Sequence, residues 1–541
     1  MAAVLSDDIL PFPEKKLNRI SSNDLDQNLS DSSSGSTRAP SRSSSLASVM
    51  SAYEKPQQSE KDAGNKPLDH YKTRLPAWRY NARQYLLPII RWETPRLAKL
   101  QFSMRCLPLD VFFALSANLG THTFYAVMLP VCFWFGQYHF GFDLVFVLAF
   151  GVYLTGFLKD LLCLPRPLSP PLHRITMSGS AALEYGFPST HTANAVSVGL
   201  LCLIKIHDNQ QFVSPISYIL LHLANVMFVF AIVAGRIYCG MHGFLDVLVG
   251  GLIGFGLWWF RHQYGFQMDY FLATNNWVNM AYSILLVILV RIHPEPADDC
   301  PCFDDGVSFL GVELGIHGSN AYLAYHSSYK STSCYGCFPY SYANSGIVGT
   351  VLRLAIGVVL VMAWRSTMKP LFHKHLPPLF RLIERVGLSM PRRFFTPASQ
   401  YTKVPKSLSD STFNSGELSS IFKYKGRSDS VGPQSEADVY ESLAYREYQK
   451  QKIAENERTN EYEISYRGKD DRSQIQPPQS SNEETSYDNN DQELNQEQLM
   501  STVVVPRVRY DVEVVTRLIV YAGISFVSLV VTPIIFEMIA I

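Results

Sequence analysis

The sequence predicts an all-α, polytopic membrane protein, a helical bundle of about eight transmembrane helices. Three observations carry this. At 541 residues the chain is several times the ~100–150-residue size of a common single domain. Its composition is 47% hydrophobic and only 17% charged, against about 25% charged in soluble domains. That charge is nearly absent from long stretches between residues 109 and 364 and concentrated outside them. An ordinary cytosolic enzyme is excluded, and a net charge of +0 with a pI near 7.2 gives no footprint for a nucleic-acid partner. Nine cysteines are too few and too scattered for a disulfide scaffold.

Residues 1–70 are Ser-rich and poor in aromatics, a composition that buries too little apolar area to offset ordering entropy, so disorder is expected. No charged, apolar and cleavage regions follow one another at the start, so no cleaved signal peptide is expected. Residues 71–108 interleave Arg74, Arg79, Arg83, Arg91, Arg96 and Lys99 with Trp78, Tyr85 and Trp92. This suits a membrane surface or, equally, a solvated basic linker.

The core, 109–365, holds apolar runs at 111–135, 141–160, 192–207, 213–234, 244–260, 275–291 and 346–364. Gly250, Gly251, Gly254 and Gly256 would let their helix pack closely on its neighbours. Residues 292–345 read as a long loop. Residues 366–514 read as a soluble insert, basic at first (Lys369, Lys374, Arg381, Arg385, Arg392, Arg393), then Gln-, Asn-, Glu- and Ser-rich and disordered. A last helix closes the chain in 515–541.

Positive-inside reasoning puts the basic 365–406 segment in the cytosol. Counting spans backwards then sets loops 161–191, 236–243 and 292–345 on the lumenal side. The same count carries the basic 72–105 region there too, against the rule. Either a further crossing lies within 81–105 or the rule fails at this end.

Three polar clusters fall on one side by that count. Lys159 ends a span, and Pro165 and Pro167 stop the helix around Arg166. Ser189 and Thr190 are N-cap candidates ahead of an apolar helix, which would turn backbone N–H groups and a helix dipole toward an anion; His191 follows. Arg236 precedes His242 and Asp246, four apart, so on a helix the carboxylate could hold the imidazole in one tautomer. Taken singly, a Lys or Arg at a span end is usually an interface anchor and a His an interfacial packing residue. Their coincidence describes a phosphate cradle with a nucleophile and an acid. No carboxylate pair suggests a bound metal, so the cations would neutralise the transition state themselves.

Lys159…Arg166-Pro167, Pro188-Ser189-Thr190-His191 and Arg236…His242…Asp246 resemble the three signatures of the type 2 phosphatidic acid phosphatase superfamily. Thr190 departs from the commoner Gly and Gly235 from the commoner Ser. The surrounding stretches, notably Tyr185 to Asn194 and Arg236 to Gly243, are similar to those of fungal long-chain-base phosphate phosphatases of the endoplasmic reticulum. The resemblance covers roughly 80–365. It implies that His242 is the nucleophile, that Asp246 orients it, and that His191 is the acid and then the base. Lys159, Arg166, Arg236 and the Ser189–Thr190 turn would hold the phosphate. It further implies no cofactor or metal, a sphingoid base phosphate as lipid substrate among membrane lipids, and a lumen-facing site.

Rival readings are a broader lipid phosphate or isoprenoid pyrophosphate phosphatase, a non-catalytic transporter or scaffold, and a vanadate-dependent haloperoxidase, which a membrane-spanning chain disfavours. Cys300, Cys302, Cys334 and Cys337 give zinc spacing only in the second pair, so disulfides or free thiols are expected in a lumenal loop. His317 and His326 read as surface residues. Asn28-Leu29-Ser30 fits a glycosylation sequon, and Ser407, Ser409, Ser411 and Ser428 sit in a basic stretch that reads as a flexible linker in preference to a run of regulatory phosphosites.

Overall fold

The computed structural model describes residues 63–120, 122–169, 171–175, 183–326, 340–387, 392–402, 404 and 509–539. The Ser-rich front, the sequon, Cys334, Cys337 and the serines of 407–428 lie outside them. Helices dominate: α1 Leu68–Arg74, α2 Ala77–Met104, α3 Leu107–Ser116, α4 His122–Trp134, α5 Tyr138–Leu162, α6 Thr190–Asp208 and α7 Pro215–Tyr238. They continue with α8 Phe244–Thr274, α9 Asn276–Ile292, α10 Cys302–His326, α11 Tyr342–Arg385, α12 Val512–Phe526 and α13 Thr532–Met538. Two short strands, β1 Phe395–Thr396 and β2 Arg509–Tyr510, pair in parallel.

Among the described residues, five helices are long and apolar enough to cross a bilayer: Tyr138–Leu162, Pro215–Tyr238, Phe244–Thr274, Ser345–Arg385 and Val512–Met538. The chain is a multi-pass membrane protein. Leucines and aromatics on the outer faces of α7 and α8, among them Ile219, Leu223, Phe230, Leu252, Phe255 and Trp259, are exposed. In lipid such faces are at home, while the helical backbone satisfies its own polar groups. The α5 helix is the hub, with Val145, Val147, Leu148 and Ala149 fully buried.

Several expectations change. The 111–135 span is two helices joined by a 3₁₀ turn at Ala117–Gly120. Of the four α8 glycines picked out in the sequence, two make close approaches to a neighbouring helix end. A Cβ on Gly250 would lie 2.5 Å from the Ser189 carbonyl, and one on Gly254 would strike the Ala193 carbonyl. Gly251 meets only Thr192 at 4.0 Å and Gly256 meets nothing within 4 Å.

The 292–345 region is not one long loop. Most of it is α10, which runs antiparallel along α5: Gly156 faces the Cys302 carbonyl at one end, and Phe142 faces the His317 ring at the other. Asp304, Glu313 and His317 hide this helix from hydropathy, yet all are buried and partnered. Glu313 accepts from Tyr282 (2.7 Å) and lies 3.0 Å from His317 Nε2. His317 is therefore a core residue; His326 is exposed as expected. Cys300 and Cys302 form a disulfide.

The backward span count treats 292–345 as one loop, whereas α10 packs antiparallel along the apolar α5. The α11 helix runs on through the basic stretch to Arg385, and Arg392 and Arg393 donate to the carbonyls of His293 (3.0 Å) and Pro296 (3.2 Å). His293 follows α9 at the α5 C-terminus, where its ring lies 3.6 Å from Asp160. The basic segment thus shares a face with the Lys159 end of α5. The α2 helix lies across that face as well, and it is no solvated linker. Arg79 and Arg83 are buried and donate to the carbonyls of Leu161 (2.8 Å) and Cys163 (3.2 Å), capping the open end of α5.

Candidate active site

Each of the three motifs sits at a helix end, and packing draws these ends together. The α5 helix stops at Cys163, whose left-handed backbone (φ 50°) returns its N–H to the Lys159 carbonyl at 2.9 Å. The extended chain beyond is strapped to the second motif, where Gly186 donates to the Leu164 carbonyl at 2.9 Å. A Cβ on Gly186 would lie 2.7 Å from the Pro165 carbonyl, so only glycine permits this approach.

Ser189 is the N-cap of α6, its hydroxyl accepting from the Thr192 N–H at 3.3 Å. Its own N–H donates to the Asp246 carbonyl at 3.0 Å, which ties the second motif to the third. His191 is the second residue of α6 and half-buried. The two departures from the commoner pattern have local reasons. The Thr190 hydroxyl lies 2.9 Å from that of Thr155 on α5. A Cβ on Gly235 would stand 3.1 Å from the Phe113 ring, which already fills that space.

In the third motif the α7 carbonyl of Arg236 accepts from the N–H groups of Met241 (3.1 Å) and His242 (3.2 Å), folding the turn back. Here the expected geometry is corrected. The α8 helix begins only at Phe244, with Gly243 as N-cap, so His242 and Asp246 do not share a helix face. Asp246 instead caps the helix, accepting from Gly243 at 2.8 Å, and this turn leaves its carboxylate 3.6 Å from His242 Nδ1.

Lys159, Arg166, Arg236, His242 and Asp246 are all buried. Arg166 organises them. Its Nη1 donates to the Met241 carbonyl (2.9 Å) and lies 3.2 Å from His242 Nε2. A guanidinium can only donate, so Nε2 must present its lone pair and the ring proton sits on Nδ1, toward Asp246. Burial pushes the His242 imidazolium well below its ordinary pKa, and Arg166, Lys159 and Arg236 push it further the same way. The ring is neutral, with the lone pair on Nε2.

Sequence reasoning missed two carboxylates. Glu184 bridges Lys159 Nζ and Arg166 Nη2, at 3.3 Å to each. Glu93 of α2 accepts from the Leu245 N–H at 3.0 Å, a second cap on α8. Both carried a signal, being the lone acids in 161–191 and in 70–109. A third group, Asp298, gathers the hydroxyls of Tyr71 (2.8 Å) and Tyr185 (3.1 Å), the Gly64 N–H (3.0 Å) and Lys66 (3.0 Å). It anchors the stretch leading into Ser189.

The family model of the PAP2 superfamily matches residues 140–268, which include all three motifs. The chain is 34% identical to a dihydrosphingosine 1-phosphate phosphatase of Schizosaccharomyces pombe over 63% of its own length and 80% of the relative's. It is also 34% identical to a dihydrosphingosine 1-phosphate phosphatase of Saccharomyces cerevisiae, over 56% of this chain and 74% of that one. A sphingosine-1-phosphate phosphatase 2 of Homo sapiens is 25% identical, over 54% and 73%. No solved structure matches. With the motif geometry and these relatives together, the chain belongs to the PAP2 superfamily, in the family of the dihydrosphingosine 1-phosphate phosphatases.

Proposed function

We propose that this protein hydrolyses sphingoid long-chain-base 1-phosphates, such as dihydrosphingosine 1-phosphate, to the free base and phosphate within the membrane. The observation that carries the reading is the lone pair of His242 Nε2, held in a buried nest of Lys159, Arg166 and Arg236. In the reaction, Nε2 attacks phosphorus and the phosphorus–oxygen bond to the lipid breaks. His191 gives its proton to the leaving alkoxide, and Asp246 stabilises the charge arising on the His242 ring. His191 then takes a proton from water as that water attacks the phosphohistidine, releasing phosphate. Three cations and the α6 N-terminus meet the charge on the transferred group.

The alkyl chain remains among the helices while the headgroup enters at the membrane face. Purified protein should release phosphate from dihydrosphingosine 1-phosphate equally with and without chelator. His242→Ala should abolish release and the acid-labile phosphoenzyme while still inserting. Preference for phosphatidate in the same assay would favour the broader lipid phosphatase.

On this reading the protein acts in the endoplasmic reticulum membrane with its site facing the lumen, as the family resemblance implies. A specific observation favours a second orientation: both basic segments, on α2 and at the end of α11, share the site's face, which the positive-inside rule assigns to the cytosol.

A further inference from the structure

Lys159 and Arg166 are buried cations, their side chains only 6% and 5% exposed, and the Glu184 carboxylate joining them is 27% exposed. Glu184 therefore sits at the mouth of the cradle, over the cations, where a phosphoryl oxygen has to arrive. Without it, two desolvated cations would face each other with no carboxylate bridging them. With it, an incoming phosphate must displace a carboxylate from both. Once displaced, that carboxylate has nowhere favourable to go beside a phosphate dianion, unless the substrate brings a cation of its own.

A long-chain-base 1-phosphate does so, on the carbon next to the phosphorylated one. We propose that Glu184 is the substrate's ammonium site: it guards the cations in the empty enzyme, then swings to pair with the amine as the phosphate takes its place. This rests on the phosphatase reading above and adds the headgroup selectivity to it. Lipid phosphates without an amine leave Glu184 unpaired against the phosphate, so the same residue that attracts one class repels the other. Its position supports the role, since it lies one residue ahead of Tyr185, which Asp298 holds in place, and its backbone carbonyl accepts from Arg166 Nε at 3.2 Å.

The test compares dihydrosphingosine 1-phosphate with its N-acetyl derivative, which keeps chain and phosphate but has no charge on nitrogen, using full-length protein in detergent. Wild type should prefer the free amine, and Glu184→Gln should narrow the ratio of kcat/KM values by about 10- to 100-fold, mainly through KM. Glu184→Asp should restore part of the preference. The Gln variant should also be inhibited several-fold more tightly by orthophosphate, because no carboxylate competes for the cations. An equal loss on both substrates with unchanged phosphate inhibition would reduce Glu184 to a structural strut and overturn the proposal. Wild-type turnover of neither lipid would overturn the phosphatase reading, and the ammonium site with it.

Discussion

Arg166 Nη1 stands 3.2 Å from His242 Nε2, so one guanidinium selects the tautomer of the ring and, in the proposed reaction, also meets the phosphate. Each of its three nitrogens is engaged: Nη1 on the Met241 carbonyl, Nη2 on Glu184, Nε on the Glu184 carbonyl. Lysine keeps the charge but cannot reproduce three directed bonds. Arg166→Lys should lower kcat/KM by about 10²-fold, roughly 3 kcal/mol of transition-state stabilisation. A loss below tenfold in a phosphate-release assay would show that charge alone suffices.

The pH profile should bear the mark of the buried ring. His242 has its pKa depressed below 6.5, so the proposed nucleophile stays neutral under mildly acidic conditions. The acid limb of kcat/KM that belongs to it should lie clearly below that of an exposed histidine. The sign for stability follows from the same shift. The unfolded chain takes up the proton first, so this contribution is complete above pH 6.5 and is lost as pH falls toward the folded value. Single-turnover rates and thermal unfolding across pH 4.5–8 check both.

Two glycines on one helix should behave oppositely. Gly254→Ala drives a methyl into the Ala193 carbonyl of α6, and Gly256→Ala enters open space. The first should destabilise by about 1–3 kcal/mol and lower Tm in detergent by several degrees. The second should be neutral or slightly stabilising, since alanine is the better helix former. Equal effects would mean that α6 and α8 do not pack as described.

Tyr185→Phe removes the hydroxyl that donates to Asp298 at 3.1 Å and accepts from the Asp298 N–H at 2.8 Å. Burial alone would raise the Asp298 carboxyl, but Lys66 and the Gly64 N–H hold it below its ordinary value, so it is an anion that needs these donors. The variant should cost about 1–3 kcal/mol of stability. Its activity should fall through misplacement of Ser189 and Glu184, with KM rising more than kcat falls.

Orientation can be read with thiols. Cys106 is exposed and its N–H donates to Tyr238 Oη (3.3 Å) on the site's face, whereas Phe212, between α6 and α7, is exposed at the opposite end. In sealed microsomes a membrane-impermeant maleimide should spare Cys106 and label Phe212→Cys if the site is lumenal. The reverse pattern would establish the cytosolic reading.

Much of the site was legible because its signals are local. Lys159, Arg166, Ser189, His242 and Asp246 announce themselves by spacing, and Ser189 by its capping chemistry. What escaped depends on distance in the chain. Glu184 gains meaning only when Arg166 folds back beside it, and Glu93 only when α2 crosses to α8, 152 residues away. The α10 helix escaped for the opposite reason. Its acids look like loop residues until Arg517, lying 3.6 Å from Asp304, and Tyr282 are seen beside them. Pairing inside the bundle removes the penalty that hydropathy assigns to each charge.

The two-rung ladder in which Phe395 lies beside Arg509, and Thr396 beside Tyr510, fastens the ends of a long excursion side by side. The pairing joins positions 114 residues apart in the chain, and the closure entropy of such a link grows only with the logarithm of the separation. Shortening that separation about tenfold would favour closure by merely ~2 kcal/mol. The ladder therefore costs little more to close across a long stretch of chain than across a short one, and the helices beneath it need not change with that length.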